Sequence, residues 1–303
     1  MMTGIITLSE NVLCKKEVLG RTYSCEIGGI TAKLHFPNYP QNIDMNNHLE
    51  SPASVNGLKD YNNSITWGCL MVHPKGDSCV NKLAITVECE MCEADDFAEK
   101  IFKSVWKWEH AFIDYLRLAT KQGVYRDKNL RRNTCDLELF NYDYIPKDVI
   151  ATINLRIPKE IEFANENDIN NAIKFADSGR EMLFEYQMLL SSYDAIRNNQ
   201  NRRAILDACA ALEIVLSKQI VIYCGLHDVP EKLLLNKYRY LSEKINLLRI
   251  IDSDFPQVDL DNSVIIPRNA LMHSTDVYPT DDITDRLISC VKQVLNYYHK
   301  SYY

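Results

Sequence analysis

Residues 202–223, RRAILDACAALEIVLSKQIVIY, decide how the C-terminal half folds. Ile205, Ala208, Leu212, Val215 and Ile220 recur at helical spacing and fall on one face of an α-helix. Gly225 follows within two residues of the stretch and is the expected C-cap, because glycine adopts the left-handed backbone that ends helices without steric cost. A helix of this length needs partners along its whole apolar face, and the sequence on both sides supplies them.

Upstream, Asp168 to Ala195 carries Ile169, Ala172, Ile173, Ala176, Met182, Leu183, Tyr186, Leu189, Leu190 and Tyr193. This pattern predicts a long helix with a break at Gly179, and 197–201 (RNNQN) predicts the turn into the central helix. Downstream, Pro230 opens a third helix along which Leu234, Tyr238, Leu241, Ile245 and Leu248 follow a three-four spacing. After a loop, 251–263 (IDSDFPQVDLDNS), comes PRNALMHS at 267–274. Asp281-Asp282 then opens a last helix with Ile283, Leu287, Val291, Val294 and Tyr298 inward. Four long helices with short joins predict a four-helix bundle over residues 166–303.

The first 160 residues read differently. Arg21 to Phe36 is two β-prone runs around Gly28-Gly29, a hairpin signal. A loop rich in Pro, Asn and Ser follows at 37–57. Ser64 to His73 and Lys82 to Met91 read as strands, the second with Leu83, Ile85, Val87 and Cys89 on one face. From Ala94 a helix is expected, its apolar stripe made by Phe97, Ile101, Val105, Trp108, Phe112 and Tyr115, with both tryptophans of this helix assigned to the core. The basic run at 125–132 (YRDKNLRR) is a solvated turn or a substrate contact, and Val149 to Ile157 is a closing strand. The predicted fold is therefore an α+β domain over 1–160 followed by an all-α bundle over 166–303.

The net charge of −7 is shared, with 19 basic against 22 acidic residues in 1–165 and 15 against 19 in the remainder. That excludes an electrostatic nucleic-acid binder with a basic domain, but not an enzyme that meets RNA at a local patch. No apolar run reaches the ~18 residues of a membrane span and the N-terminus lacks the layout of a secretory signal, so no membrane contact and a cytoplasmic location are expected. The 10 cysteines are scattered, and most read as small core hydrophobes. Cys89 and Cys92 stand at ligand spacing. They are either strand-end cysteines or half of a zinc site that Cys69, Cys79 or His73 would complete.

The chemistry-bearing stretch is 267–274. Arg268 places a permanently charged, forked guanidinium five residues before His273, an imidazole of the type that titrates near neutrality, with Asn269 beside the arginine. Such groups suit a phosphodiester, although a helix-surface salt bridge would also account for the pair. Arg202-Arg203, close to Arg197, reads as an RNA-contacting patch or as a solvated helix start.

A helical bundle in which R-N-x-x-x-H precedes the last helix resembles the HEPN superfamily. The resemblance covers roughly residues 166–303. It is carried by IIPRNALMHS at 265–274, and by RRAILDACAALEIVLSKQI at 202–220 with Ala-Leu-Glu at 211–213, which is similar to the second helix of the Apea-like branch. The resemblance implies a metal-independent, cofactor-free endoribonuclease working as a homodimer, its two motifs forming one cleft. It places Arg268 and His273 in catalytic positions and Asn269 in a supporting one, and it puts Glu213 at a frequent acidic position. It further implies a role in antiviral defence or toxin-type growth arrest, with an antitoxin or trigger bound by the N-terminal domain. The alternative is a non-catalytic module for dimerisation or for nucleotide or RNA binding. Thr275 stands where one subgroup carries a tyrosine that a partner antitoxin nucleotidylates, and the Lys-Arg pair of some ribonuclease members is absent after Glu213.

Overall fold

The computed structural model describes residues 2–41, 48–53, 67–71, 77–90, 94–121, 162–273 and 278–299. The expected strand at 149–157, the basic run at 125–132, Cys92, His73 and Thr275 lie outside them. The chain divides into two compact units, with the described residues 2–121 and 162–181 in the first and 182–299 in the second.

The first unit is α+β. Its antiparallel sheet is built, among the described residues, from β1 (Met2–Cys14), β2 (Thr22–Ile27), β3 (Ile30–His35), β4 (Gly68–Leu70) and β5 (Ser78–Val87) in the order β1-β5-β3-β2, with β4 also on β5. The β2–β3 hairpin is the predicted one. Ile27 pairs with Ile30 across Gly28 (φ 63°) and Gly29 (φ 76°), a two-residue turn with both central residues left-handed. Alternation buries Tyr23, Cys25 and Ile27 on β2 and Ile30, Ala32 and Leu34 on β3.

Helix α1 (Ala94–Thr120) buries Trp108, Phe112, Tyr115 and Leu116. The expectation that both its tryptophans are core holds for Trp108 alone. Trp106 is 69% exposed, its ring tilted against that of His110 with centroids 4.2 Å apart, because two helix positions differing by two lie about 200° apart and cannot share one buried face.

Helix α2 (Glu166–Asp177) departs from the predicted organisation. It belongs to the first unit, not to the helices that follow it. A capping box between Asn165 and Asp168 starts it, Phe175 lies against Tyr115, and Ala164 bonds backbone-to-backbone with Leu13 and Lys15 of the β1 end. The Asp177 carboxylate then accepts from the Glu26 backbone N–H (2.9 Å) and from the Trp108 indole N–H (2.8 Å). The break expected at Gly179 (φ 60°) is real, and it is also where one unit gives way to the other.

The second unit is helical throughout its described residues. Helix α3 (Phe184–Arg197) turns through Asn198–Gln200, with Asn199 at φ 57°, into the central helix α4 (Asn201–Leu226). Ile205, Ala208, Leu212, Val215 and Ile220 are all buried, as their spacing predicts, each aliphatic chain among them contributing about 1.5–3 kcal/mol. Gly225 is not the C-cap. The helix runs through it to Leu226, His227 caps, and Asp228 takes the left-handed backbone (φ 53°).

The third predicted helix is two. Helix α5 (Glu231–Lys237) buries no residue and stops at Tyr238, and the Glu243 carboxylate, accepting from the Tyr240 N–H at 3.1 Å, starts α6 (Leu241–Ile251), which buries Leu241, Ile245 and Leu248. A π-helical turn, Asp261–Ile265, leads into α7 (Ile266–His273), and α8 (Asp281–Tyr298), N-capped by Thr280, buries Leu287, Val291 and Val294. The π turn has a cause in the sequence. Pro267 has no N–H to give, and its ring would strike the carbonyl four residues back in a regular helix. A wider turn, closed by the Ile266 N–H on the Asp261 carbonyl, relieves that clash. The same wide turn sets the angle at which the motif helix presents its side chains.

Candidate functional site

Helix α7 holds the motif. Only Leu271 is buried on it, and Ile266 (59%) and Met272 (56%) are exposed. At about 100° per residue, Leu271 points inward, while Ile266, Asn269 and His273 fall on the opposite, outer face. Arg268 lies on the flank between them, half-buried, toward α4. Asn269 and His273 thus share a face, and Arg268 stands roughly 140° round the helix from His273.

The Arg268 guanidinium donates to the Asn269 side-chain oxygen at 3.2 Å and has no carboxylate partner among the described residues. The exposed His273 has no hydrogen-bond partner among them. Arg268 is also close to the Cys209 thiol of α4. Burial pushes that thiol up to about 12, the Arg268 charge acts against this, and the Glu213 carboxylate adds to it. Arg268 and Glu213 therefore lie near the same cysteine.

Glu213 is otherwise committed. Its carboxylate accepts from the Lys244 ammonium at 2.7 Å, and Lys244 is buried. The pair edges an open groove of about 580 Å3 that also has Ile214, Ser217 and Ile222 in its wall. An ionised carboxylate already paired with a buried ammonium is a structural anchor before it is a base.

No family model, curated protein or solved structure matches the chain. The site therefore rests on its own geometry.

Arg202 and Arg203 are brought to the motif's end of the unit. The Arg202 guanidinium donates to the Leu271 carbonyl at 3.4 Å, and Arg203 pairs with Asp207 at 3.4 Å. They line a cavity of about 510 Å3 together with Tyr278. Neither Tyr278 nor Asn201 is distinguished in the sequence by a motif; the only hint is an aromatic-proline pair placed just after the motif. His299, which sequence position suggests is a frayed end, is instead engaged. Its Nε2 lies 2.8 Å from the fully buried Glu185 carboxylate, which also accepts from Lys218 at 2.7 Å. Burial raises the Glu185 carboxyl, but Lys218, a backbone hydrogen bond and His299 outweigh it and hold the group below its ordinary value.

Among the described residues no group of three or more His, Cys, Asp or Glu is placed to hold a metal ion. Cys69 and Cys79, weighed above as zinc ligands, face each other across β4 and β5, and their mutual hydrogen bond followed by burial raises the Cys69 thiol. No helix among the described residues is long and apolar enough to cross a membrane. In the first unit, a cavity of about 300 Å3 lies between the Gly28-Gly29 turn and α1, with Lys103, Ser104, Lys107 and Arg180 on its rim.

Proposed function

We propose that the second unit is a HEPN-like four-helix bundle and that the protein is a metal-independent endoribonuclease acting as a homodimer. One observation carries this reading. At the end of α7 the Arg268 guanidinium lacks any carboxylate partner and the His273 imidazole lacks any hydrogen-bond partner among the described residues, in a chain with an excess of acid. A half-buried guanidinium of purely structural role would be expected to have found an acid, and the exposed imidazole stands open to a ligand.

The chemistry follows from RNA's own nucleophile. A base takes the proton of the 2′-OH, the oxygen attacks the adjacent phosphorus, and the bond to the 5′-oxygen breaks as an acid protonates it. The products are a 2′,3′-cyclic phosphate and a 5′-OH. Base and acid are two groups, and each chain offers one His273. With Arg268 on a different side of α7 from His273, two copies facing each other would supply two imidazoles and two guanidiniums for the phosphorane oxygens. The exposed Ile266 on the outer face and the exposed Met272 on the flank of the same helix support such pairing. Those same two side chains favour the second reading, a non-catalytic module that dimerises or binds RNA.

Incubation of a mixed RNA pool with wild type, Arg268→Ala and His273→Ala in EDTA tests the proposal. Cleavage by the wild type alone, leaving cyclic-phosphate ends and sparing DNA, is the expected result. A requirement for Mg2+, or equal cutting of DNA, would overturn it. If His273→Ala also removes the toxicity of expression, growth arrest is the biological output.

A further inference from the structure

We propose that the cavity beside the end of α7 is a subsite for one unpaired nucleotide of an RNA chain, with its base stacked on Tyr278 and its phosphate held by Arg202 and Arg203. The inference rests on the ribonuclease reading for its choice of RNA; its geometry is independent of that reading.

The volume of about 510 Å3 suits a mononucleotide. Tyr278 is 80% exposed, with no hydrogen bond or ring contact to the described residues. An unused aromatic face that open to water serves as a stacking platform where the backbone that carries it is anchored, as it is here. Pro279 follows it and restricts its backbone, and the Pro279 carbonyl accepts from the Asn201 side-chain amide at 3.1 Å. That amide also donates to Asp281 at 2.8 Å, so α4 anchors the backbone between Tyr278 and the start of α8.

The rest of the lining has the remaining nucleotide chemistry. Arg203 is largely exposed, and its carboxylate partner Asp207 is at a loose 3.4 Å, leaving donors for a phosphate. Gln200, the N-cap of the 26-residue α4, makes no side-chain cap, so the positive end of that helix is open toward the same cavity. The Asn201 side-chain oxygen is buried without a donor, and Asn199 and Gln200 add amides able to read a base edge. Arg202 joins the subsite to the motif, since it edges the cavity and reaches the carbonyl of Leu271, two residues before His273. A base can stack on an external ring only if its own face is open. Paired bases in a helix are already stacked, so the subsite selects loops and single strands.

The test is binding of a short single-stranded RNA, fully 2′-O-methylated so that it cannot be cut, to the full-length chain by fluorescence anisotropy. Tyr278→Ala should weaken binding about tenfold, while Tyr278→Phe, which keeps the ring, stays within about twofold of wild type. Arg203→Ala should weaken binding and flatten its salt dependence by close to one phosphate contact. The same sequence annealed into a duplex should bind at least about tenfold more weakly. Absence of binding by the wild type, equal binding by Tyr278→Ala, or equal affinity for duplex would each overturn the subsite. The readout does not depend on cleavage. A wild type that cuts RNA while Tyr278→Ala binds normally leaves the ribonuclease and refutes the subsite. Tyr278-dependent binding without cleavage in EDTA does the reverse.

Discussion

The two units use polar side chains in opposite ways. In the first, charged and polar groups close the fold: Asp177 ties a β2 backbone amide to the α1 indole, and the buried Glu109 accepts from both the Ser9 backbone amide (2.6 Å) and its hydroxyl (2.8 Å). In the second, the core is aliphatic around α4, and Arg268, His273 and Tyr278 are held in place without being used by the structure that holds them. Side chains that a fold positions but does not need are the ones free for a ligand. The contrast predicts that substitutions in the second group change activity, and those in the first change stability.

The largest expected effect is on rate. His273→Ala and Arg268→Ala should each lower RNA cleavage by about 10²–10⁴, with stability to urea within about 0.5 kcal/mol of wild type. A large loss of stability in either variant would break the comparison.

Next comes an exception within the second unit, the Glu185–Lys218–His299 cluster. Glu185→Gln leaves the Lys218 ammonium without its carboxylate and the His299 ring without its acceptor, and should cost about 2–4 kcal/mol, because Glu185 is fully buried although Lys218 is half-exposed. The pH dependence has a definite sign. The folded carboxyl lies below its ordinary 4.5, so its stabilisation is complete above that value and lost as pH falls through the depressed folded value. Urea midpoints measured from pH 7 down to pH 3 should fall less for Glu185→Gln than for wild type.

Asp177→Ala should destabilise the first unit by about 2 kcal/mol, since two donors, one of them on the buried Trp108, lose their acceptor. RNA cleavage should survive at a temperature where that variant remains folded. The smallest effect is expected at the hairpin. A Cβ on Gly28 would sit 2.6 Å from the Ser104 hydroxyl and 3.0 Å from the Lys100 carbonyl, at a φ of 63°. Gly28→Ala should therefore cost about 1–2 kcal/mol, whereas Gly29→Ala, with open space around it, pays only for its backbone. Equal losses at the two glycines would show that the turn does not rest on α1.

Much of this was legible in the residues. The Gly28-Gly29 hairpin, the buried face of α4 and the Asp-rich start of α8 follow from local period and turn chemistry, and local signals survive folding. The failures are non-local. Glu166–Asp177 has a helix's pattern wherever it packs, and only Asp177 meeting Trp108 and Glu26 assigns it to the first unit. Tyr240 and Glu243 ended a continuous apolar stripe by capping, a competition that periodicity does not register. For the site, the Arg268–His273 spacing singled out α7 as the candidate, but the commitment of Glu213 to Lys244 is a meeting of residues 31 apart. Tyr278 carries no motif at all, and its exposure is visible only in three dimensions.

The π turn at Asp261–Ile265 has one more consequence. A wide turn adds one residue to a helix without adding a turn, so it acts as a phase shift of about 100° for everything after it. Removing a single residue there would leave α7 helical and PRNALMHS intact in composition. It would swing Asn269 and His273 from the outer face toward the flank, and Leu271 out of its buried seat. The motif is thus spelled by its letters but read by its phase, and the insertion ahead of Pro267 sets that phase.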